Sequence, residues 1–182
     1  MIVILQATLY PWGRSLTGAA TLPGKWVGEG VTPSGQKIGA YLTMRALIWG
    51  EGEGCQRGCD LDGVLRVCTA GGIRDYMYEG DVQEHHGRYF MIDVNKTRDR
   101  PYGYRFREVH GQWPGGDTMR IAGVFEIDRS TWSTSEKGVW VDARGERHKM
   151  TDAEQLDTTR PTYFTMRRGR ESDFNTYCAG IR

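Results

Sequence analysis

The chain has 182 residues, and 24 Lys and Arg against 23 Asp and Glu give a formal net charge of +1 at pH 7. This length fits one domain, residues 1–182, and is long enough to bury a sizeable core without a metal or disulfide. The balanced charge argues against a nucleic-acid-binding module, which normally carries a clear positive excess.

The first predicted element is a β-strand at Ile2–Leu9. Three β-branched residues in a row favour a strand here, and Pro11 ends it. The apolar run Met1–Leu5 lacks a basic flank and is too short for a signal peptide or a membrane span. No stretch of about 18 apolar residues occurs in the sequence. We therefore expect a soluble, cytoplasmic protein that does not bind membranes.

Short runs of alternating apolar and polar residues continue along the chain, and this pattern predicts an all-β protein. The next predicted strands are Gly24–Val31, Ile38–Trp49, Gly63–Thr69, Ile73–Val82, Arg88–Asn95, Tyr102–Val109, Thr118–Asp128, Gly138–Asp142 and Pro161–Arg168. The turns between them are short and rich in glycine, as hairpins require. Such a meander predicts a closed antiparallel β-barrel of about eight to ten strands, because closure removes exposed sheet edges.

One short helix is predicted before the last strand. Thr151 and Glu154 have the spacing of a capping box, and the helix would run to about Leu156 before Pro161 prevents its continuation.

The segment Gly24–Gly30 carries the pattern Gly-x-Trp-x-Gly-x-Gly. It resembles the opening strand of lipocalin-like (calycin) barrels, most closely those of the nitrobindin-like and fatty-acid-binding types. The resemblance implies that Trp26 seals the closed end of the barrel and that an arginine of the last strand, Arg167 or Arg168, lies over its ring. An arginine over an indole is a favourable cation–π pair.

Two departures limit what the resemblance implies. Nitrobindin-like proteins bind haem through a late histidine, whereas the last histidine here, His148, lies on a turn before the final strand. The Arg-x-Tyr pattern of fatty-acid carriers is also absent from the last strand. We therefore carry over the architecture alone and expect no cofactor.

The four cysteines, Cys55, Cys59, Cys68 and Cys178, do not follow the spacing of a redox CxxC motif or of a zinc site. In a cytoplasmic protein we expect four reduced thiols, and a Cys55–Cys59 or Cys68–Cys178 disulfide is the alternative. No HExxH or His/Cys cluster occurs, so no metal site is expected.

Two further segments have distinctive composition. Gly50–Gly58 contains four glycines and two carboxylates that would repel phosphate, so we interpret it as a mobile loop at the mouth of the barrel. Lys96–Arg107 interleaves basic and aromatic residues and is the best candidate for nucleic-acid binding. Its acidic neighbours dilute the charge, and we interpret it as a solvated barrel wall.

The strands contain many aromatic residues, which predicts a lumen suited to an apolar small molecule. We expect this lumen to be lined by Tyr76, Tyr78, Tyr89, Met91, Tyr104 and Trp113. The alternative is that these side chains fill a solid core.

Asp93 and Glu126 are the candidate catalytic residues, because each interrupts a largely apolar strand. A carboxyl group in such a lumen would tend to stay protonated and could polarise a carbonyl. Strand register decides which of the two points inward.

Together these features predict a cofactor-independent cyclase or isomerase that folds a flexible apolar substrate for ring formation. The alternative is a non-enzymatic carrier or a protein-interaction scaffold, and a homodimer is left open.

Overall fold

The computed structural model describes residues 12–13, 20–47, 60–83, 87–97, 104–127, 132–133, 139–141 and 145–181. Its elements in chain order are β1 (Gly24–Val31), β2 (Lys37–Ala46), β3 (Leu61–Thr69), β4 (Gly72–Val82), β5 (Tyr89–Thr97), β6 (Tyr104–Gln112), β7 (Thr118–Ile127), β8 (Trp132–Ser133), β9 (Val139–Val141), β10 (Arg147–Lys149), α1 (Asp152–Asp157), β11 (Thr162–Arg168) and α2 (Glu171–Ala179).

Eight of the strands form a closed antiparallel barrel, as the alternating pattern predicts. Strands β1 to β7 each pair with their neighbour in sequence, and β11 closes the barrel by pairing with both β7 and β1. The short strands β8, β9 and β10 form a separate sheet, which with α1 is inserted between β7 and β11. The predicted strand Ile2–Leu9 lies outside the described residues.

Side chains alternate between the barrel interior and its outer surface, since successive residues of a strand point to opposite faces. In β5, for example, Phe90, Ile92 and Val94 are buried inside. The ring of Phe90 lies across Gly111 on β6, where a Cβ atom would come within 1.9 Å of it. Only glycine therefore allows this ring to lie flat against the wall.

The predicted capping box of α1 is confirmed. The Thr151 hydroxyl accepts a hydrogen bond from the Glu154 amide at 3.2 Å, and the Glu154 carboxylate accepts one from the Thr151 amide at 2.8 Å. At the other end of α1, buried Asp157 accepts hydrogen bonds from the amide and the hydroxyl of Ser34 at 2.8 and 2.9 Å. These bonds fix α1 to the turn between β1 and β2.

A second helix, α2, was not predicted from the sequence. It packs on the outer face of the barrel through Phe174 and Cys178, which contact Val27 and Tyr41 on β1 and β2. Cys178 forms a disulfide with Cys68 of β3. The expectation of reduced thiols is therefore wrong for these two residues, because α2 places them against each other; Cys55 and Cys59 lie outside the described residues.

Among the described helices, α1 and α2 are both too short and too polar to cross a membrane.

Candidate functional site

The barrel interior contains a cluster of buried apolar side chains contributed by all eight strands. At the end where β1 begins, its large members are Trp12, Leu22, Trp26, Met44, Phe90 and Trp113. At the opposite end, Phe106 stacks on Phe125 with ring centroids 3.9 Å apart and meets the edge of Phe164. The two ends of the barrel therefore differ in the side chains that form them.

The Trp26 end is closed by an arginine. The Arg168 guanidinium carbon lies 3.8 Å from the centroid of the Trp26 ring, and the guanidinium donates hydrogen bonds to the carbonyls of Pro23, at 2.8 Å, and Thr21. The indole Nε1 of Trp26 donates to the carbonyl of Leu22 at 3.0 Å. Burial lowers the pKa of Arg168 from its ordinary value. At this end the Trp26 indole and the Arg168 guanidinium therefore already have hydrogen-bond partners among the described residues.

The opposite end contains Thr162, at the start of β11. Its side chain faces inward like those of Phe164 and Met166, and its exposed fraction is 0%. Its Oγ1 makes no hydrogen bond within the described part of the chain. The residue paired with it on β7 is Gly123, which carries no side chain and is overlaid by the ring of Phe106. Among the described residues, Thr162 thus presents a buried hydroxyl without a hydrogen-bond partner, opposite a glycine that a phenylalanine ring covers.

The predicted lining residues Tyr76 and Tyr78 are buried inside the barrel. The Tyr78 hydroxyl donates to the main-chain carbonyl of Thr43 at 2.8 Å and lies beside Gly63, the residue paired with Tyr78 on β3. Burial raises the pKa of Tyr78 well above its ordinary value, and the charge of nearby Asp62 raises it further. This hydroxyl is therefore committed to the wall.

Trp113 is also buried, but it lies at the closed end, where its Nε1 donates to the carbonyl of Gly116 at 3.0 Å. The expectation that Tyr89 and Met91 line the lumen is wrong. Both lie on the outer face of β5, since their neighbours Phe90 and Ile92 point inward, and Tyr89 is 42% exposed. The side chain of Tyr104 lies outside the described residues.

The two candidate catalytic carboxylates are also on the outer face. Asp93 is exposed between buried Ile92 and Val94. Glu126 follows the inward-facing Phe125, and its side chain is 21% exposed toward solvent. The expectation that one of the two points into the lumen is therefore wrong, because both strands place their aromatic or aliphatic members inside.

Asp93 belongs to a row of acidic residues that crosses four adjacent strands. Directly paired positions on β3, β4, β5 and β6 carry Asp62, Glu79, Asp93 and Glu108. Like charges in such positions repel each other. A cationic partner lies at one end, where Arg45 forms a two-pronged ion pair with Asp62. At the other end, His110 Nε2 lies 2.5 Å from the Glu108 carboxylate.

Glu126 lines a groove of about 610 Å³ on the outer surface, between strands β6 and β7 and the segment that follows α1. The groove is lined by Arg107, Glu108, His110, Ala122, Val124, Phe125, Glu126, Thr158 and Pro161. Its ionic groups are paired with each other: Arg107 lies 3.7 Å from Glu126, and His110 contacts Glu108. An irregularity in the pairing of β6 and β7 turns both Arg107 and Glu108 outward.

Sequence reasoning missed Thr162 and the pairing of His110 with Glu108. The second could have been found, since two residues at i and i+2 on a strand share a face. No pattern in the neighbouring sequence could have identified Thr162, because its lack of a hydrogen-bond partner among the described residues depends on the glycine paired with it on β7. Within the described ranges, no three His, Cys, Asp or Glu side chains are grouped so as to hold a metal ion.

Comparison of the chain with protein-family models, with curated proteins and with solved structures found no match.

Proposed function

We propose that the protein binds a mostly apolar small molecule with one hydrogen-bonding group inside the barrel, at the end opposite Trp26. The observation that carries this proposal is the fully buried hydroxyl of Thr162 with no partner among the described residues. A buried polar group without a partner costs about 1–3 kcal/mol. A ligand oxygen or nitrogen bound to this hydroxyl would remove that cost.

The surroundings of Thr162 support an apolar ligand with a neutral polar group. Phe106, Phe125 and Phe164 lie at the same end and offer ring surface. Only one charged side chain among the described residues is fully buried, Asp157, and both its oxygens already accept hydrogen bonds from Ser34. An alcohol, ketone or amide on a hydrocarbon body therefore fits better than a carboxylate.

This arrangement supports carriage over the cyclase or isomerase activity that the sequence suggests. Ring-forming chemistry of that kind was expected to use an interior acid, and Asp93 and Glu126 both lie outside. The hydroxyl of Tyr78, which lies inside the barrel, donates to the Thr43 carbonyl and would have to break that bond to reach a substrate. Shape and one hydroxyl suffice for binding.

We further propose that the barrel is related to the lipocalin-like proteins. The proposal is supported by the Gly24–Gly30 strand, by the pairing of the first and last barrel strands, and by the position of Arg168 over Trp26. The compartment is proposed to be oxidising and not the cytoplasm, because disulfides such as Cys68–Cys178 are rare in reducing compartments.

The experiment is a displacement assay with the neutral fluorescent probe N-phenylnaphthylamine and three competitors of equal chain length: decane, decanol and decanoate. We expect saturable probe uptake and the strongest displacement by decanol. In Thr162→Val, which keeps the shape and removes the hydroxyl, the affinity for decanol should fall about 2- to 10-fold, corresponding to one hydrogen bond of about 0.5–1.5 kcal/mol. Displacement by decane should not change.

The free Thr162→Val protein should at the same time melt at a higher temperature, because an unpaired polar group has been replaced by a methyl group. The matched control is Thr118→Val, which alters an exposed threonine on the outer face of β7. Absence of saturable probe uptake would refute the binding site. Equal loss of all three competitors, or a lower melting temperature in Thr162→Val, would refute the role of its hydroxyl.

A further inference from the structure

The outer face of β11 carries a strip of exposed apolar side chains. Tyr163 and Val31 are 66% and 57% exposed, the highest values among the large hydrophobic residues of the described chain. They are directly paired across β11 and β1, and Tyr163 is paired on its other side with Ala122 of β7. Large apolar residues exposed side by side in this way are typical of an interaction surface.

Two opposite charges flank this strip in register. On β11, Thr165 lies two residues beyond Tyr163 on the same outer face. It is paired with Glu29 on β1 and with Arg120 on β7. All three side chains are exposed. Because neighbouring strands are about 4.8 Å apart, the backbones of Glu29 and Arg120 lie roughly 10 Å from each other. The two side chains do not form an ion pair with each other within this molecule.

We propose that this face, formed by Glu29, Val31, Arg120, Ala122, Tyr163 and Thr165, binds a second copy of the chain around a two-fold axis parallel to β11. A rotation about that axis exchanges the positions of β1 and β7 and leaves β11 opposite β11. Glu29 of each copy then meets Arg120 of the other, Val31 meets Ala122, and the two Tyr163 rings meet each other. Two sheets facing each other at about 10 Å can make these contacts.

The distribution of charge is the reason for choosing a second copy over another partner. An isologous interface requires that each surface position match its own symmetry mate. At the level of Thr165 the two positions beside β11 carry opposite charges, and at the level of Tyr163 both are apolar, so these two levels of the face are complementary to themselves. Arg167 follows on the same face, where the carboxylate of Asp173, 3.8 Å away, offsets part of its charge. The net charge of +1 adds almost no repulsion between two copies.

Analytical ultracentrifugation across micromolar to millimolar concentrations tests the proposal. The unaltered protein should show a monomer–dimer equilibrium. Tyr163→Glu, which puts two like charges on the axis, should raise the dimer dissociation constant at least about tenfold, as the loss of a central aromatic contact does. Met77→Glu is the matched control: Met77 is 48% exposed on β4, away from this face, and its replacement should leave the dimer intact.

Charge reversal identifies the partner. Glu29→Arg and Arg120→Glu should each weaken the dimer, and the double variant should restore it, because the two ion pairs are then re-formed with the signs exchanged. Glu29 also lies close enough to Tyr177 to raise the pKa of its hydroxyl, so Glu29→Gln, which removes the charge and keeps the shape, serves as a milder variant that should weaken the dimer. A chain that is monomeric throughout, a dimer that Tyr163→Glu does not affect, or a double variant weaker than either single one would overturn the proposal.

Discussion

The side chain of Arg168 connects the last barrel strand to Trp26 and to the segment before β1. Its guanidinium group covers Trp26 and donates to two main-chain carbonyls that precede β1. Its neighbour Arg167 is 63% exposed, and its polar contacts with other described residues are long, at 3.4 Å to the carbonyl of Arg168 and 3.8 Å to Asp173. Two adjacent arginines therefore have very different roles.

We expect Arg168→Lys to lower the free energy of unfolding by about 1–3 kcal/mol, because an ammonium group cannot serve both carbonyls and cover the indole at once. Arg167→Lys is the matched control and should change stability by less than about 0.5 kcal/mol. Urea unfolding at neutral pH measures both. Equal effects of the two substitutions would contradict the structural role of Arg168.

Tyr78 leads to a prediction about alkaline pH. Its folded-state pKa is raised above the ordinary value of 10.0, chiefly by burial. The neutral hydroxyl is thus favoured by folding, so its contribution to stability is fully present below pH 10 and is lost as the pH rises toward the raised folded-state value.

We expect the unfolding free energy to fall above pH 10 and to fall less steeply in Tyr78→Phe, which cannot ionise. At neutral pH the same substitution should cost about 0.5–1.5 kcal/mol, the net contribution of the hydrogen bond to Thr43. Tyr41→Phe is the comparison, since its pKa is also raised but its ring lies outside the barrel under α2. An identical alkaline slope in the unaltered protein and in Tyr78→Phe would count against this account.

At the scale of the element, α2 is held to the barrel by a small core of its own. Phe174 is fully buried against Tyr41, with ring centroids 6.0 Å apart, and Glu171 at the start of the helix forms an ion pair with Arg66 of β3. The Cys68–Cys178 disulfide adds a covalent link across 110 residues of sequence.

Replacing Cys178 by Ser should therefore lower the free energy of unfolding by about 2–5 kcal/mol, as the loss of a native disulfide usually does. Native-state hydrogen exchange should show the amides of α2 exchanging faster, while those of β6 and β7 keep their protection relative to global unfolding. Ser172→Ala, an exposed change on the same helix, is the control and should leave both measurements unchanged. Unchanged exchange in α2 would mean that Phe174 alone is enough to hold it.

For the whole molecule, the sequence was sufficient to predict the barrel. It was not sufficient to predict, for every strand, which side chains point into the barrel. Alternation is unambiguous in β11, where Phe164 and Met166 face inward between polar residues. In β5 both faces contain large apolar side chains, so the pattern could not distinguish Tyr89 and Met91 from Phe90 and Ile92. Asp93 shares a face with Tyr89 and Met91, so its exposure could not be predicted without knowing which face of β5 points inward.

The remaining errors arise from contacts that are distant in sequence. α2 is short and mostly polar, so its sequence shows no clear apolar face. Its two buried residues, Phe174 and Cys178, contact a part of the barrel wall that is distant in sequence. The Thr162 hydroxyl has no partner among the described residues, and this likewise depends on its position opposite Gly123. Local propensity carries no information about either contact.

The disulfide also determines how the molecule would respond to mechanical load. A force applied to the two chain ends passes directly from Cys68 to Cys178, so the 110-residue separation between them lies outside the load path. At about 3.5 Å per extended residue, this removes roughly 380 Å from the length to which the chain can be stretched. Strand β11 lies within the bypassed segment. The applied force therefore reaches the β1–β11 pairing through β1 and not through the chain on either side of β11. In single-molecule stretching, adding a reductant should release the missing length in a second step.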